Sequence, residues 1–427
     1  MRLRRHLPPV LHRRDYALLV AALLAMGLGS QMVAVAVGWQ VYAIHHSAFD
    51  LGLIGLAEFV PLPILALPAG HLADRFSRRA VFAASLALSV AVTVGLLVVS
   101  FTASEVLWPF LVLAAAAGVA TALGTPAARA LPPVLVPLDL VESAMAVRST
   151  ASQIGFVVGP AIGGLLFAVR PELAYGTAAV LLAVGLVCVS AVHEPHEAAA
   201  DVPALGVDNL LAGFRFMRRT PVLLGAITLD LFAVLFGGAV ALLPLFARSV
   251  LHTGPFGLGV LRTAPAVGAL LAGVVLTRRP LGGRVGRTLL LVVGAFGASM
   301  IVFALSHSFA LSFGALAVSG FVDMISMNIR STTVALATPN ELRGRVLAIE
   351  MVFVSASNEL GAFESGVAAA LFGAVTAVVA GGAITIGLAA SWPFLFPALA
   401  AIDHFEDVHP GRVDGGADRP YPPGSPA

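Results

Sequence analysis

The chain contains no lysine, and all 25 of its basic side chains are arginine. Its one cysteine, Cys188, excludes a framework of intramolecular disulfides. Charged residues make up 11% of the 427 residues, compared with about a quarter in soluble globular proteins. Apolar residues make up 59%. This composition excludes an ordinary soluble domain and predicts an integral membrane protein.

The sequence also lacks the patterns of several function classes. It has no clear metal-ligand cluster and no phosphate-binding loop, so neither a cofactor nor a metal is expected. It has no clustered nucleophile and base, so an enzyme is not expected. No nucleic-acid partner is expected either. Two histidines and two glutamates lie close together, but a solvated linker is favoured over a metal site there; they are His193, Glu194, His196 and Glu197.

Twelve apolar runs are each long enough to form a membrane-spanning helix, which needs about 20 residues. The predicted fold is therefore an all-α membrane protein embedded in a lipid bilayer. The runs lie near 16–44, 49–71, 80–101, 107–130, 142–168, 172–192, 221–250, 255–277, 288–306, 309–331, 345–370 and 374–396.

Arginine is concentrated in alternate loops. With twelve spans, the loops on one side hold only Arg170 and Arg248. Loops rich in arginine remain on the cytoplasmic side. We therefore expect a multi-pass protein of the bacterial inner membrane with both termini in the cytoplasm. The arginines assigned to the cytoplasmic side include Arg13, Arg14, Arg75, Arg78, Arg79, Arg129, Arg215, Arg218, Arg219, Arg278, Arg279, Arg284, Arg287, Arg330, Arg343 and Arg345.

The sequence divides into two halves that look like repeats. Gly159 and Gly164 in the fifth run are followed 202 positions later by Gly361 and Gly366 in the eleventh. Parallel repeats of this kind are known in transporters built from two six-helix bundles. We predict an N-terminal half over 1–192, a cytoplasmic linker over 193–220, a C-terminal half over 221–398 and a disordered cytoplasmic tail over 399–427.

The charged break after the second run has the pattern Gly-x-x-x-Asp-Arg-x-x-Arg-Arg. It resembles the loop between the second and third helices of the major facilitator superfamily. In that family the aspartate engages a helix of the other half in one conformation. The resemblance implies a gate, although an arginine cluster that only fixes topology is the alternative. The gate residues would be Gly70, Asp74, Arg75, Arg78 and Arg79.

The fifth run contains a second motif, in which small residues and a proline allow close approach of neighbouring helices. It resembles the antiporter motif of the same superfamily, which is associated with exporters; a packing seam would read much the same. The motif residues are Gly159, Pro160, Gly163 and Gly164. With Gly38-Trp39-Gln40-Val41-Tyr42, it resembles the branch that includes enterobactin exporters and macrolide efflux proteins.

Ionisable groups inside the bilayer are costly and are usually functional. A carboxylate that takes up and releases a proton could couple transport to a proton gradient. Asp230 is the first candidate, followed by Glu58 and Glu359, because these three lie nearest the middle of their spans. The alternative is structural pairing with Arg148 or Arg262. The remaining ionisable groups in the runs are Asp323, Glu350 and Glu364.

Arg148 and Glu350 occupy equivalent repeat positions, and we predict gate or interface roles for them. Asp74 would suit the start of the eleventh helix, near Arg343 and Arg345, and Glu350 could then meet Arg75 or Arg78. Six further side chains are candidates for lining a substrate cavity, although interhelical hydrogen bonds are the alternative for each amide. They are Gln31, Trp39, Gln40, Gln153, Asn328 and Asn358.

Together these features favour a monomeric, proton-coupled exporter of small amphipathic molecules, either siderophores or drugs, that works by alternating access. An importer or uniporter on the same fold is the first alternative. A non-transporting membrane scaffold or sensor is the alternative of another class. The middle of the fourth run, Leu111 to Gly118, lacks the arginine that the family often carries there, so the usual proton-coupling arrangement of the family is not expected.

Overall fold

The computed structural model describes residues 8–65, 76–102, 106–194, 207–279 and 281–408, without the side chains of 207–212, 340, 341 and 348. These residues form helices joined by short loops and no strands. Within this described part of the chain, twelve helices are long and apolar enough to cross a membrane, which confirms the predicted fold class and number of spans. We number them α1 to α12: Arg14–His45, Ala48–Leu65, Arg78–Phe101, Trp108–Leu135, Leu138–Val169, Pro171–Ser190, Pro221–Val250, Pro255–Arg278, Val285–Leu305, Phe309–Ala337, Leu342–Phe372 and Ala374–Leu395.

Local sequence signals set where several of these helices begin. Proline stands at the first position of α6, α7 and α8, where its missing N–H has no intrahelical partner to lose. Ser47 precedes α2, and its Oγ accepts a hydrogen bond from Asp50 N over 3.2 Å. Ser77 caps α3 in the same way, with Ala80 N at 3.2 Å. These caps satisfy backbone donors that would otherwise be unpaired.

Equivalent glycines of the two predicted halves make equivalent contacts. A β-carbon built on Gly159 of α5 would lie 2.8 Å from Gln31 Cβ of α1. A β-carbon on Gly361 of α11 would lie 3.0 Å from the carbonyl oxygen of Leu235 in α7. The pair α5–α1 therefore packs like the pair α11–α7, as the 202-residue offset in the sequence predicts.

The two sets of six helices meet most closely at one end of the bundle. We call this the far end, because it is where α1 ends, and the opposite end the near end. Gly164 of α5 packs against the Pro255 carbonyl and Gly259 of α8. A β-carbon on Gly52 of α2 would lie 3.1 Å from the Cα of Gly366 in α11. All of these glycines lie within a few residues of the far ends of their helices, so the far end is closed.

The far end also carries a hydrogen bond between the two sets. The Tyr42 hydroxyl of α1 and the Ser249 hydroxyl of α7 are 2.8 Å apart. Below this contact α7 is discontinuous: its regular part ends at Gly237, and short turns of other helical types follow. The carbonyl of Gly238, freed by the break, accepts a hydrogen bond from Ser365 of α11 over 2.8 Å. The break is therefore stabilised by a neighbouring helix.

Two helices extend further than the apolar runs indicate. The predicted limits near 130 and 331 are too short, since α4 continues to Leu135 and α10 to Ala337. Arg129 and Arg330, at the ends of the fourth and tenth apolar runs, therefore lie well inside helices and not at their ends. A hydropathy pattern ends where polar residues begin, but the backbone remains helical beyond that point.

Parts of the predicted linker and tail fall within the described residues. Residues Val207–Arg219 form a helix, which we call the linker helix, and a β-carbon on Gly213 would lie 3.0 Å from Arg345 Cβ at the start of α11. The tail prediction is wrong for residues 399–408, which pack against the near end of α9: Gly286 N donates to Ile402 O over 2.9 Å. Residues 409–427 lie outside the described part of the chain.

Candidate functional site

Three charged side chains form a buried network within α7, α10 and α11. The Arg330 guanidinium contacts the Asp230 carboxylate through Nη1, and its Nε donates to Glu350 Oε1 over 3.1 Å. Arg330 is only 6% exposed. Asp323, two turns earlier on α10, interacts electrostatically with both Asp230 and Arg330. This network ties three helices together inside one half of the bundle.

This arrangement changes the interpretation of two predicted residues. Asp230, the first candidate for proton coupling, is paired with an arginine, as the structural alternative stated, but its partner is Arg330 and not Arg148 or Arg262. Glu350 is paired with the same arginine and not with Arg78. From the sequence, Arg330 reads as a topology-setting arginine at the end of the tenth apolar run and not as a partner for a carboxylate. Its spacing of seven residues from Asp323 was the available signal, because it places both side chains on the same helical face.

A second charged set lies where the two halves meet. Glu58 of α2 and Glu359 of α11 both interact electrostatically with Arg262 of α8, and with each other. All three residues are half-buried. Among the described residues, no carboxylate oxygen lies within 4 Å of the Arg262 guanidinium, unlike that of Arg330. We call these three residues the central charged set.

Small residues place the central charged set in the interior. The Glu58 carbonyl packs directly against Gly118 of α4, and a β-carbon on Gly55 would lie 2.8 Å from Ala362 Cβ of α11. These contacts hold α2 between α4 and α11. Glu58 is ten residues from the far end of α2, or about 15 Å along the helix, which is half of a typical hydrocarbon thickness. Side chains larger than glycine at these crossings would separate the helices.

The two charged sets differ in what they can do chemically. In the buried network, direct contacts offset the cost of removing the charges from water, so the ions stabilise one another. In the central charged set, two carboxylates share one guanidinium without contact. With all three groups ionised its net charge is −1, so one proton or one cation would neutralise it.

The near end of the first half carries positive charge. Arg148 of α5 interacts electrostatically with Arg129 of α4 and with Tyr16 of α1. The Tyr16 hydroxyl donates to the carbonyl of Ala144. Arg148 Nε is buried without a hydrogen-bond partner among the described residues. At the repeat-related position the second half has Glu350, so the two halves carry opposite charges at this level.

The motif in α5 contacts two different helices. Gly163 faces α1, where a β-carbon would lie 2.7 Å from Met32 Cα. Gly164 and the Pro160 carbonyl face α8, against Pro255 and Gly259 respectively. The motif therefore combines packing within the first half with the contact between the halves. This geometry is compatible both with an antiporter motif and with a packing seam.

Only part of the predicted gate falls in the described residues, since Gly70, Asp74 and Arg75 lie outside them. The backbone N–H groups of Arg78 and Arg79 donate to the two carboxylate oxygens of Glu194, at 3.3 and 3.1 Å. Arg79 also donates from Nη1 to Val192 O over 3.0 Å. Glu194, part of the cluster weighed as a metal site, therefore caps α3.

Two of the cavity candidates are engaged within the protein. Gln40 accepts a hydrogen bond from the Tyr175 hydroxyl at 2.7 Å, which joins α1 to α6. Asn358 Nδ2 donates to Val354 O of its own helix at 2.9 Å. Of the other candidates, Asn328 is exposed, whereas the remaining three are half-buried: Gln31, Trp39 and Gln153. Arg343 is exposed, and Arg345 packs against the linker helix.

Comparison with known proteins agrees with this architecture. The multidrug efflux pump Tap of Mycolicibacterium fortuitum is 28% identical over 373 residues, which cover 83% of this chain and 89% of the relative. The enterobactin exporter EntS of Escherichia coli K12 is 26% identical over 393 residues, covering 89% of this chain and 90% of the relative.

Solved structures show the same fold. A bacterial homologue of the human lysosomal transporter Spinster, in an inward-facing and occupied conformation, superposes with a TM-score of 0.69 at 16% identity and covers 91% of this chain and 97% of that one. The nucleoside transporter NupG gives a TM-score of 0.66 at 15% identity, with 91% and 99% covered. Residues 7–412 match the model of the transmembrane secretion effector family. The chain therefore belongs to this family of major facilitator transporters, as the sequence motifs indicate.

Proposed function

We propose that this protein exports a small amphipathic compound, such as a siderophore or a drug, across a bacterial cytoplasmic membrane in exchange for protons. The observation that carries the proposal is the central charged set. It joins α2, α8 and α11 from both halves of the bundle, in the membrane interior, without the direct contacts that would fix its charges in place.

The position of the set suits a coupling role. A charged side chain at the centre of a membrane costs about 2.5–3.5 kcal/mol on insertion scales. A structural ion pair reduces that cost by contact, as Arg330 does with Asp230. Glu58 and Glu359 are not in contact with Arg262, so protonation of either one is the simplest way to remove the excess negative charge. We therefore assign proton coupling to Glu359 and Glu58 in preference to Asp230.

The closed far end suits alternating access. The arginine-rich loops assign the near end to the cytoplasm. A bundle held together through Gly164–Gly259 and Gly52–Gly366 at the far end would then be open towards the cytoplasm. Rocking the halves about the central charged set would open the far end and close the near end, where Arg148 and Glu350 carry opposite charges.

Export is favoured by the family and by the relatives, since Tap is named an efflux pump and EntS an exporter. The test uses inverted membrane vesicles with an imposed proton gradient, acidic inside, and a panel of labelled siderophores and hydrophobic drugs. We expect uptake of at least one compound, and we expect it to collapse when an ionophore removes the gradient. Uptake that is indifferent to the gradient would leave a transporter but would exclude antiport.

The matched control is on the same helix as Glu359. Glu364 lies five residues later and faces about 140° away around α11. We expect Glu359→Gln to abolish gradient-driven uptake and Glu364→Gln to retain it. Equal loss in both variants would indicate damage to the helix and would remove the support for coupling at Glu359.

A further inference from the structure

We propose that the central charged set binds a positively charged group of the substrate, so that the exported compounds are amphipathic cations. This inference rests on the proposed function and adds the charge class of the substrate. It follows from the sign of the set and from its open geometry.

The net charge is the first argument. Two carboxylates and one guanidinium give a charge of −1 where the two halves meet. A monovalent cation between Glu58 and Glu359 would make the set neutral. An anion bound at Arg262 would instead place three negative charges together, and such juxtaposition of like charges selects against a ligand.

The missing contacts are the second argument. Neither Glu58 nor Glu359 has an ion pair or a hydrogen bond through its carboxylate among the described residues, and Arg262 has no carboxylate oxygen within 4 Å. In the buried network, by contrast, arginine and carboxylate are in direct contact, since Arg330 pairs with both Asp230 and Glu350. A ligand between the two glutamates would therefore not have to break an existing bridge.

The aromatic surroundings are the third argument. Phe363 lies one turn beyond Glu359 towards the far end of α11, and its ring centre is 6.4 Å from that of Phe49 in α2. This contact joins the two halves on the closed side of the central charged set. Aromatic faces attract cations and also bury the apolar body of an amphipathic ligand.

The arrangement also implies how protons would drive export. A proton and a substrate cation would neutralise the same excess negative charge, so each would oppose the binding of the other. Release of the cation at the far side would follow uptake of a proton there. The proton and the cation would therefore compete at one site, and coupling would not need a second binding site.

The test compares two probes of the same shape and opposite charge: tetraphenylphosphonium and tetraphenylborate. Binding of each is measured by equilibrium dialysis against the purified full chain in detergent at pH 8.5, where protons compete least. We expect tetraphenylphosphonium to bind at least about tenfold more tightly than tetraphenylborate. We also expect its binding to weaken as the pH falls.

Substitutions then separate a charge effect from a folding defect. Glu58→Gln and Glu359→Gln should each weaken tetraphenylphosphonium binding by about tenfold or more, whereas Glu364→Gln should leave it unchanged. Arg262→Gln should strengthen it, because the set then carries an excess of two negative charges. A misfolded variant cannot produce that gain.

The outcomes for substrate class and for export are distinguishable. Absence of tetraphenylphosphonium binding, equal binding of both probes, or weaker cation binding in Arg262→Gln would overturn the cationic site, whatever the vesicle experiment shows. Selective cation binding without any gradient-driven uptake in vesicles would leave the site standing and would overturn the proposed antiport.

Discussion

Arg330 contacts Asp230 through Nη1 in the interior of the second half, and its Nε donates a hydrogen bond to Glu350. One buried cation therefore serves two carboxylates from two helices. This relationship explains why an aspartate near the middle of a span need not be a proton carrier. It also predicts which substitution in this network destabilises the protein most.

We expect Arg330→Gln to destabilise the protein strongly, by about 3–5 kcal/mol, because it leaves two buried carboxylates without their cation. Asp230→Asn should cost less, since Arg330 retains Glu350. The measurement is thermal unfolding of the detergent-solubilised protein, with Arg278→Gln, an exposed arginine at the end of α8, as the control. Equal losses in the Arg330 and Asp230 variants would contradict the shared-cation account.

The glycine contact at the far end gives a second prediction. Gly164→Val should prevent the approach of α5 to α8, because a β-carbon there already meets the Pro255 carbonyl. We expect normal membrane insertion and a transport rate reduced by at least about tenfold, consistent with the sensitivity of packed interfaces to added volume. Gly176→Val is the control, since a β-carbon at Gly176 has no neighbour within 4 Å. Retained transport in Gly164→Val would show that the far end need not close.

The hydrogen bond between Tyr42 and Ser249 gives a third prediction. We expect Tyr42→Phe to reduce the stability of the state with a closed far end by about 1 kcal/mol. This change would shift the equilibrium between closed and open far ends by roughly fivefold. Spin labels at Arg170→Cys and Ser308→Cys, in far-end loops of the two halves, would report the shift as a larger population of long distances when Cys188 is replaced by serine. Tyr175→Phe breaks a similar bond within one half and should leave those distances unchanged. Identical distance distributions in the Tyr42 variant and the wild type would show that this bond does not hold the far end.

The charged loop before α3 gives a fourth prediction. Asp74→Asn should leave insertion intact while it cuts transport, because the resemblance to the facilitator loop implies that this aspartate engages the other half in one conformation. Asp139→Asn, which removes an exposed carboxylate from the near end of α5, is the control. Wild-type transport rates in Asp74→Asn would refute the gate assignment and leave topology as the role of the loop.

Much of the architecture could be predicted because the bilayer imposes it. Each span requires a long apolar run, so hydropathy alone gave the correct number of helices. The repeat was visible because Gly159, Gly164, Gly361 and Gly366 stand at close crossings where only glycine fits. These are local requirements that a single sequence displays directly.

The charged sites could not be predicted as well, because they depend on three-dimensional proximity. Glu58, Arg262 and Glu359 are far apart in the sequence, and nothing local shows that they face one another. Depth alone favours Asp230 among the carboxylates, because nothing local shows that Arg330, at the end of the tenth apolar run, pairs with it. The ordered tail was missed for a related reason: residues 399–408 are stabilised by backbone bonds to α9, which composition does not reveal.

In the proposed transport cycle, Glu359 and Glu58 exchange protons for substrate, whereas Asp230 does not. The most direct measurement uses proteoliposomes that contain a trapped pH-sensitive dye and an outward gradient of a compound found in the vesicle screen. We predict that substrate efflux acidifies the lumen in the wild type and in Asp230→Asn, and that Glu359→Gln abolishes the acidification. Acidification that persists in Glu359→Gln and disappears in Asp230→Asn would contradict the account and return the coupling role to Asp230.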